Sequence, residues 1–135
     1  MRKILFRGKR VDNGEWVYGN LITDGEDVFI LVKEDLLKGL DVGGWIDGAQ
    51  SYEVIPETVG QYTGLTDKNG LTKIFEHDIV RIAVCGTYDN YVISYDKENA
   101  RFVVGDTGFT FWSYISTKIE VIGNIHDNPE LLKGE

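Results

Sequence analysis

From end to end the chain alternates short apolar runs rich in Val, Ile, Tyr and Phe with polar punctuation built from Gly, Asn and Asp. Ile4-Leu5-Phe6 and Trp16-Val17-Tyr18 flank Asp12-Asn13-Gly14, which predicts a hairpin over Lys3 to Ile22, because Asn and Gly accept the positive φ of two-residue hairpin turns. A third strand is predicted over Asp27 to Val32. Glu34 to Lys38 reads as one helical turn, closed by Gly39 in the left-handed conformation. Asp41 to Gln50 places three glycines and two acids around Trp45 and Ile46 and reads as a surface loop. Ser51 to Ile55 resumes as a strand, and Pro56-Glu57 marks a boundary between an N-terminal β part, 1–56, and a C-terminal part, 57–135.

Beyond that boundary, Val59 to Thr63 and Leu71 to Phe75 flank Asp67-Lys68-Asn69-Gly70, a second turn of the first kind. Strands are predicted at Asp78 to Cys85, Tyr88 to Tyr95, Arg101 to Val104, Phe109 to Ile115 and Lys118 to Ile125. Short strands so closely spaced point to a small barrel closed on itself, which leaves few edges. Asn128-Pro129-Glu130-Leu131-Leu132 then carries an N-cap residue, Pro at the first helical position and an early acid. The expected ending is a short helix that lays Leu131 and Leu132 on the barrel. The expected class is therefore all-β with minor α content, in two parts or one compact unit.

Three blocks, KILFRGKRVDNGEWVYGNL, GQYTGLTDKNGLTKIFEHDIV and VIGNIHDNPELL, together resemble the YopX family, small proteins typically encoded by phages and prophages of bacteria. The resemblance covers most of the chain and implies an SH3-like β-barrel in the C-terminal part. The family pattern runs close to YTGLKDKNGKEIYEGDIV, and this chain departs from it at Leu71-Thr72 and at His77, where a glycine is usual. The bend before the next strand must then be made with a side chain present. No catalytic residues carry over from the family.

Composition narrows the function classes. With 42% hydrophobic residues, 12% aromatic, and 16 glycines against 2 prolines, the chain has material for a core without metals or disulfides. Its net charge of −8 repels phosphate backbones and anionic head groups at long range and disfavours direct nucleic-acid binding. The charge is uneven: five cations, Arg2, Lys3, Arg7, Lys9 and Arg10, fall in the first ten residues, leaving nine Lys and Arg against 22 acids, or −13, on the rest. A basic strand among acidic neighbours accounts for this better than a phosphate-binding arm. Cys85, the single cysteine, sits in an apolar run and reads as a core thiol suited to a reducing cytoplasm. No apolar run approaches membrane-spanning length and no N-terminal h-region appears, so neither export nor membrane insertion is expected.

Candidate chemistry is sparse. Glu76-His77-Asp78 and His126-Asp127 set both histidines beside carboxylates, but neighbours on a strand point to opposite faces and no His-x-x-x-His or Cys-x-x-Cys pair exists, so no metal or other cofactor is expected. The alternative to a ligand set is a group of turn residues that satisfy local backbone donors. Were His77 and Cys85 on one strand, eight steps would part them by about 26 Å, far beyond reach for a thiolate and its base. No nucleophile elbow, phosphate loop or dinucleotide fingerprint occurs.

Binding is better supplied. In Phe109-Thr110-Phe111-Trp112-Ser113-Tyr114, strand alternation gives large apolar surface to both faces. Trp45 on its glycine-rich loop is either an anchor folded back on its own core or a contact for a partner. The expected function is non-catalytic: a cytoplasmic, phage- or prophage-encoded accessory protein that self-associates and contacts a host or phage protein through Trp45, Trp112 and Tyr114. Two rivals remain open. One is an acidic mimic of nucleic acid that blocks a host DNA-binding enzyme, and the other a hydrolase working through carboxylates or a metal.

Overall fold

The computed structural model describes residues 3–32, 50–84, 86–105 and 119–132. The helical turn predicted over Glu34 to Lys38, the loop around Trp45, the strand predicted over Phe109 to Ile115 and Cys85 lie outside the described residues. The chain divides into two compact units, Met1–Gln61 and Tyr62–Glu135.

In the first unit, β1 (Phe6–Lys9), β2 (Trp16–Asp24), β3 (Asp27–Val32) and β4 (Gln50–Val54) form an antiparallel meander. β5 (Gly60–Thr66) begins on the other edge of β1, with Phe6 opposite Gln61 and Arg7 opposite Gly60. The nine-residue β2 serves two neighbours: Trp16 to Gly19 pair with β1, and Asn20 to Asp24 pair with β3. The change of partner takes place at Gly19, which is buried so close to β3 that an added Cβ would lie 1.9 Å from the Leu31 carbonyl oxygen. Only a residue without a side chain lets the backbones approach so nearly.

The end of β4 returns to the start of the meander. Arg10 bridges Val54, the Ile55 amide donates to the Lys9 carbonyl at 2.8 Å, and the Val11 amide donates to the Glu53 carbonyl at 3.0 Å. A 3-10 turn, Pro56–Thr58, then leads into β5, and the buried Thr58 hydroxyl accepts the Lys9 amide while donating to the Ile55 carbonyl. Leu5, Ile30 and Val54 supply the apolar interior, with Gly8 directly on the Val54 side chain.

The β1–β2 turn is longer than its sequence predicts. The Arg10 amide bonds the Glu15 carbonyl and the Gly14 amide bonds the Arg10 carbonyl, so Val11 to Gly14 make a four-residue loop with Gly14 at φ +73°. Local side chains favour it, because Asp12 holds the Arg10 guanidinium and Asn13 holds the Glu15 amide.

In the second unit the rest of β5 pairs with β6 (Lys73–Phe75), and β7 (Asp78–Val84), β8 (Thr87–Asp96), β9 (Arg101–Val104) and β10 (Ile119–Asn124) form an antiparallel sheet in the order β10-β7-β8-β9. Ile74, Val80, Ile93, Val104 and Ile119 are fully buried at its centre, with Leu65, Ile82, Tyr91, Phe102 and Val121 packed around them. The turn after β5 is pinned to β10: the Asp67 carboxylate accepts the Asn69 and Val121 amides, and the Lys68 amide donates to the Ile119 carbonyl.

The all-β class holds, but two details change. Among the described residues of the second unit the sheet is open between β9 and β10, so the expected closed, SH3-like barrel of the C-terminal part is not seen. Strand spacing gives the number of strands and says nothing of which edges meet. The helical content of the described residues is 3-10 rather than α: Pro129–Leu132 begins where the Asn-Pro signal places it, and four residues are too few for a settled i→i+4 ladder. The Asn90 side chain caps this turn by donating to the Leu131 carbonyl, which leaves Leu131 half-buried and Leu132 exposed.

Candidate functional site

Trp45, Trp112 and Tyr114, the residues expected to make contacts, all lie outside the described residues. The described residues offer two other places with concentrated side-chain chemistry, one in each unit.

In the second unit, the two histidine-bearing motifs meet. The Ile125 amide donates to the His77 carbonyl, the His77 amide donates to the Ile93 carbonyl, and the His77 and His126 rings stand edge to face with centroids 5.3 Å apart. His77 sits at φ +77°, the left-handed conformation that suits the glycine usual in the family pattern. Its Nδ1 is buried without a hydrogen-bond partner among the described residues, and its Nε2 lies 3.8 Å from a Glu76 carboxylate oxygen.

Asp78 turns away from His77. It is buried within the turn, where its carboxylate accepts the Phe75 amide at 2.7 Å. Asn124 plays the same part on the facing segment: its Oδ1 accepts the His126 and Asp127 amides and its Nδ2 donates to the Asp127 carboxylate. The carboxylates and amides of both motifs are thus engaged in closing turns. Among the described residues no group of three or more His, Cys, Asp or Glu side chains is placed to hold a metal ion.

This arrangement predicts that His77→Gly stabilises the protein. Relief of a left-handed non-glycine residue is worth about 1–2 kcal/mol, and the entropy of the new glycine returns about 0.5–1 kcal/mol of it. The net gain of about 1 kcal/mol should appear as a raised urea midpoint at unchanged m-value. A lower midpoint would mean that the imidazole contributes more through the His126 contact than its backbone costs.

In the first unit, cations and aromatic rings interleave along β1, β2 and β4. The Arg7 guanidinium lies 4.7 Å and the Lys9 ammonium 5.6 Å from the centre of the Trp16 ring, and Arg10 stacks 4.3 Å from the centre of Tyr52. Arg10 also grips Asp12 with two parallel bonds, Nε to Oδ1 at 2.9 Å and Nη2 to Oδ2 at 2.6 Å. These bonds hold the Asp12 carboxyl below its ordinary value of 3.8. The pair therefore stabilises the loop fully above that value, and its contribution is lost as the pH falls through the lower, folded-state value. In Arg10→Ala, Asp12 should titrate higher than in the unaltered chain, as read from its carboxyl carbon shift by NMR; an unchanged titration would show that Arg10 is not the cause.

Beside this pair, Arg10, Val11, Asp12, Ser51, Tyr52 and Glu53 line a recess of about 280 Å3. It is open and small for a site that must bury most of a ligand. More surface is offered on the face of the meander that also carries Ser51 and Glu53. There, by strand register, Trp16, Tyr18 and Ile22 of β2 share one face with Phe29 and Leu31 of β3. Tyr18 and Ile22 are 46% and 40% exposed and the other three are half-buried. The sequence carried this signal in the even-numbered apolar positions of β2, Trp16, Tyr18 and Ile22.

No helix among the described residues is long and apolar enough to cross a membrane. A family model described as YopX protein matches residues 5–133, and so spans all three sequence blocks and both units. No curated protein matches the chain.

Proposed function

We propose that this chain, which belongs to the YopX protein family, acts by protein contact rather than catalysis, as a phage- or prophage-encoded accessory protein that self-associates. The observation that carries this reading is the outer face of β2 and β3, where Tyr18 and Ile22 stand exposed beside half-buried Trp16, Phe29 and Leu31. Aromatic and aliphatic side chains with an arginine, Arg7, set against Trp16 are the composition of an interface centre, where single anchors contribute about 2 kcal/mol or more. The motifs that identify the family support the same view from the other side, since their polar groups are spent on closing turns.

The test is the molar mass by light scattering across a concentration series, for the unaltered chain and for Tyr18→Asp with Ile22→Asp. Both positions are exposed, so the variant should fold, and it should run as a monomer at concentrations where the unaltered chain is larger. Equal masses for the two proteins at every concentration would remove this face from the proposal.

A further inference from the structure

The chain contains two Asn-Gly pairs among its described residues, Asn13-Gly14 and Asn69-Gly70, both exposed and both in turns with the glycine at positive φ, +73° and +75°. Asn-Gly is the sequence in which a backbone amide can attack the preceding carboxamide, because glycine leaves the nitrogen open to approach. From sequence alone the pairs are equivalent. The structure separates them.

The attacking nitrogens are held alike: the Gly14 amide donates to the Arg10 carbonyl at 3.0 Å and the Gly70 amide to the Asp67 carbonyl at 2.8 Å. The carboxamides are not. Asn13 Oδ1 accepts the Glu15 backbone amide at 2.9 Å, whereas at the second turn it is the backbone amide of Asn69 that is bonded, to Asp67, and no hydrogen bond reaches its carboxamide among the described residues. A donor already aimed at Oδ1 polarises the Asn13 carbonyl and meets the negative charge that develops on that oxygen as the ring closes.

We infer that Asn13 is a self-modification site, at which the folded loop promotes its own deamidation. The Gly14 nitrogen loses its proton to solvent base and bonds to Asn13 Cγ, and the electron pair of the C=O bond moves onto Oδ1 opposite the Glu15 N–H. The pair returns as the C–N bond to the side-chain nitrogen breaks, and ammonia leaves with a proton from water. Water then opens the resulting succinimide at either carbonyl, giving an aspartyl or an isoaspartyl residue, so the net change is one water consumed and one ammonia released.

The product places a new carboxylate next to the Arg10–Asp12 pair. In its isoaspartyl form it also lengthens the backbone of the loop that carries Arg10 to Tyr52. A neutral loop residue thereby becomes an acid beside the recess, with no enzyme required.

The experiment follows both sites by peptide mass mapping of the full chain, incubated in mildly alkaline buffer either native or unfolded in urea. An added hydrogen bond of about 1.4 kcal/mol to the developing oxyanion corresponds to about tenfold, so in the native chain Asn13 should deamidate about tenfold faster than Asn69. In urea the two rates should converge. Equal native rates, or faster loss at Asn69, overturn the inference, as does an excess at Asn13 that persists in urea. Glu15→Pro removes the donor and should bring the native Asn13 rate down to that of Asn69, with hydrogen exchange of the β1 and β2 amides showing whether the first unit of the variant is folded. An excess at Asn13 retained in a folded variant would also overturn it.

Discussion

Gly19→Ala should cost the first unit more than about 3 kcal/mol, above the usual range for overpacking, because the clash is with backbone. The new Cβ would meet the Leu31 carbonyl oxygen at 1.9 Å and its carbon at 2.8 Å. A flexible side chain could swing aside, but a strand carbonyl cannot move without loosening the neighbouring Asn20–Leu31 and Leu21–Ile30 pairs. The fully buried Ile30 belongs to the second of these pairs, so the core is disturbed along with the ladder. Hydrogen exchange of the β2 and β3 amides gives the most direct reading, with protection expected to collapse along both strands. Gly14→Ala is the contrast: nothing lies within 4 Å of its Cβ, so only its left-handed backbone is penalised, at about 1 kcal/mol. Equal losses at the two positions would show that the close approach at Gly19 is not what the fold requires.

Asn124→Ala should be nearly as damaging, at about 3 kcal/mol, because it orphans two partly buried backbone amides, those of His126 and Asp127, and removes a donor from the Asp127 carboxylate. Asn124→Asp separates these contributions. The introduced carboxyl keeps an acceptor for both amides but faces Asp127 with like charge when ionised. Its stability deficit should therefore shrink as the pH is lowered and one carboxyl takes up a proton, which can then bridge the two. Urea titrations at neutral and mildly acidic pH decide the matter. A deficit that stays constant with pH would mean that the Asp127 contact contributes nothing.

How far the sequence revealed this molecule depends on how local each feature is. Asp27 to Val32 and Arg101 to Val104 begin and end where their residues predict, since each is an apolar run cut off sharply by polar turn residues. The Asn13-Gly14 turn was legible as a turn but not in length, because Asp12 and Asn13 spend their side chains within the loop and open it to four residues. The bend demanded at His77 was legible through its departure from the family pattern, and the backbone meets the demand at positive φ. Long-range relations were not legible. Nothing in the local pattern told that, among the described residues, β10 and β9 leave the sheet open, or that the His77 and His126 rings would touch. The contact residues chosen from the sequence fall outside the described residues, while Tyr18 and Ile22 emerge only once the structure shows them exposed on one face of β2.

The return of β4 to Lys9, Arg10 and Val11 also bears on the order in which the first unit can form. The β1–β2 and β2–β3 hairpins are local and can assemble as soon as their residues are synthesised, within microseconds of becoming free. The bonds from Glu53 and Ile55 back to the segment after β1, and the Thr58 bond to Lys9, span most of the unit and raise its contact order. A growing chain held on the ribosome with Val54 still inside the exit tunnel therefore has hairpins but no completed unit. Until Thr58 and Gly60 emerge, both edges of that meander are open to other strands, and this interval of synthesis is when the protein is most exposed to misassembly.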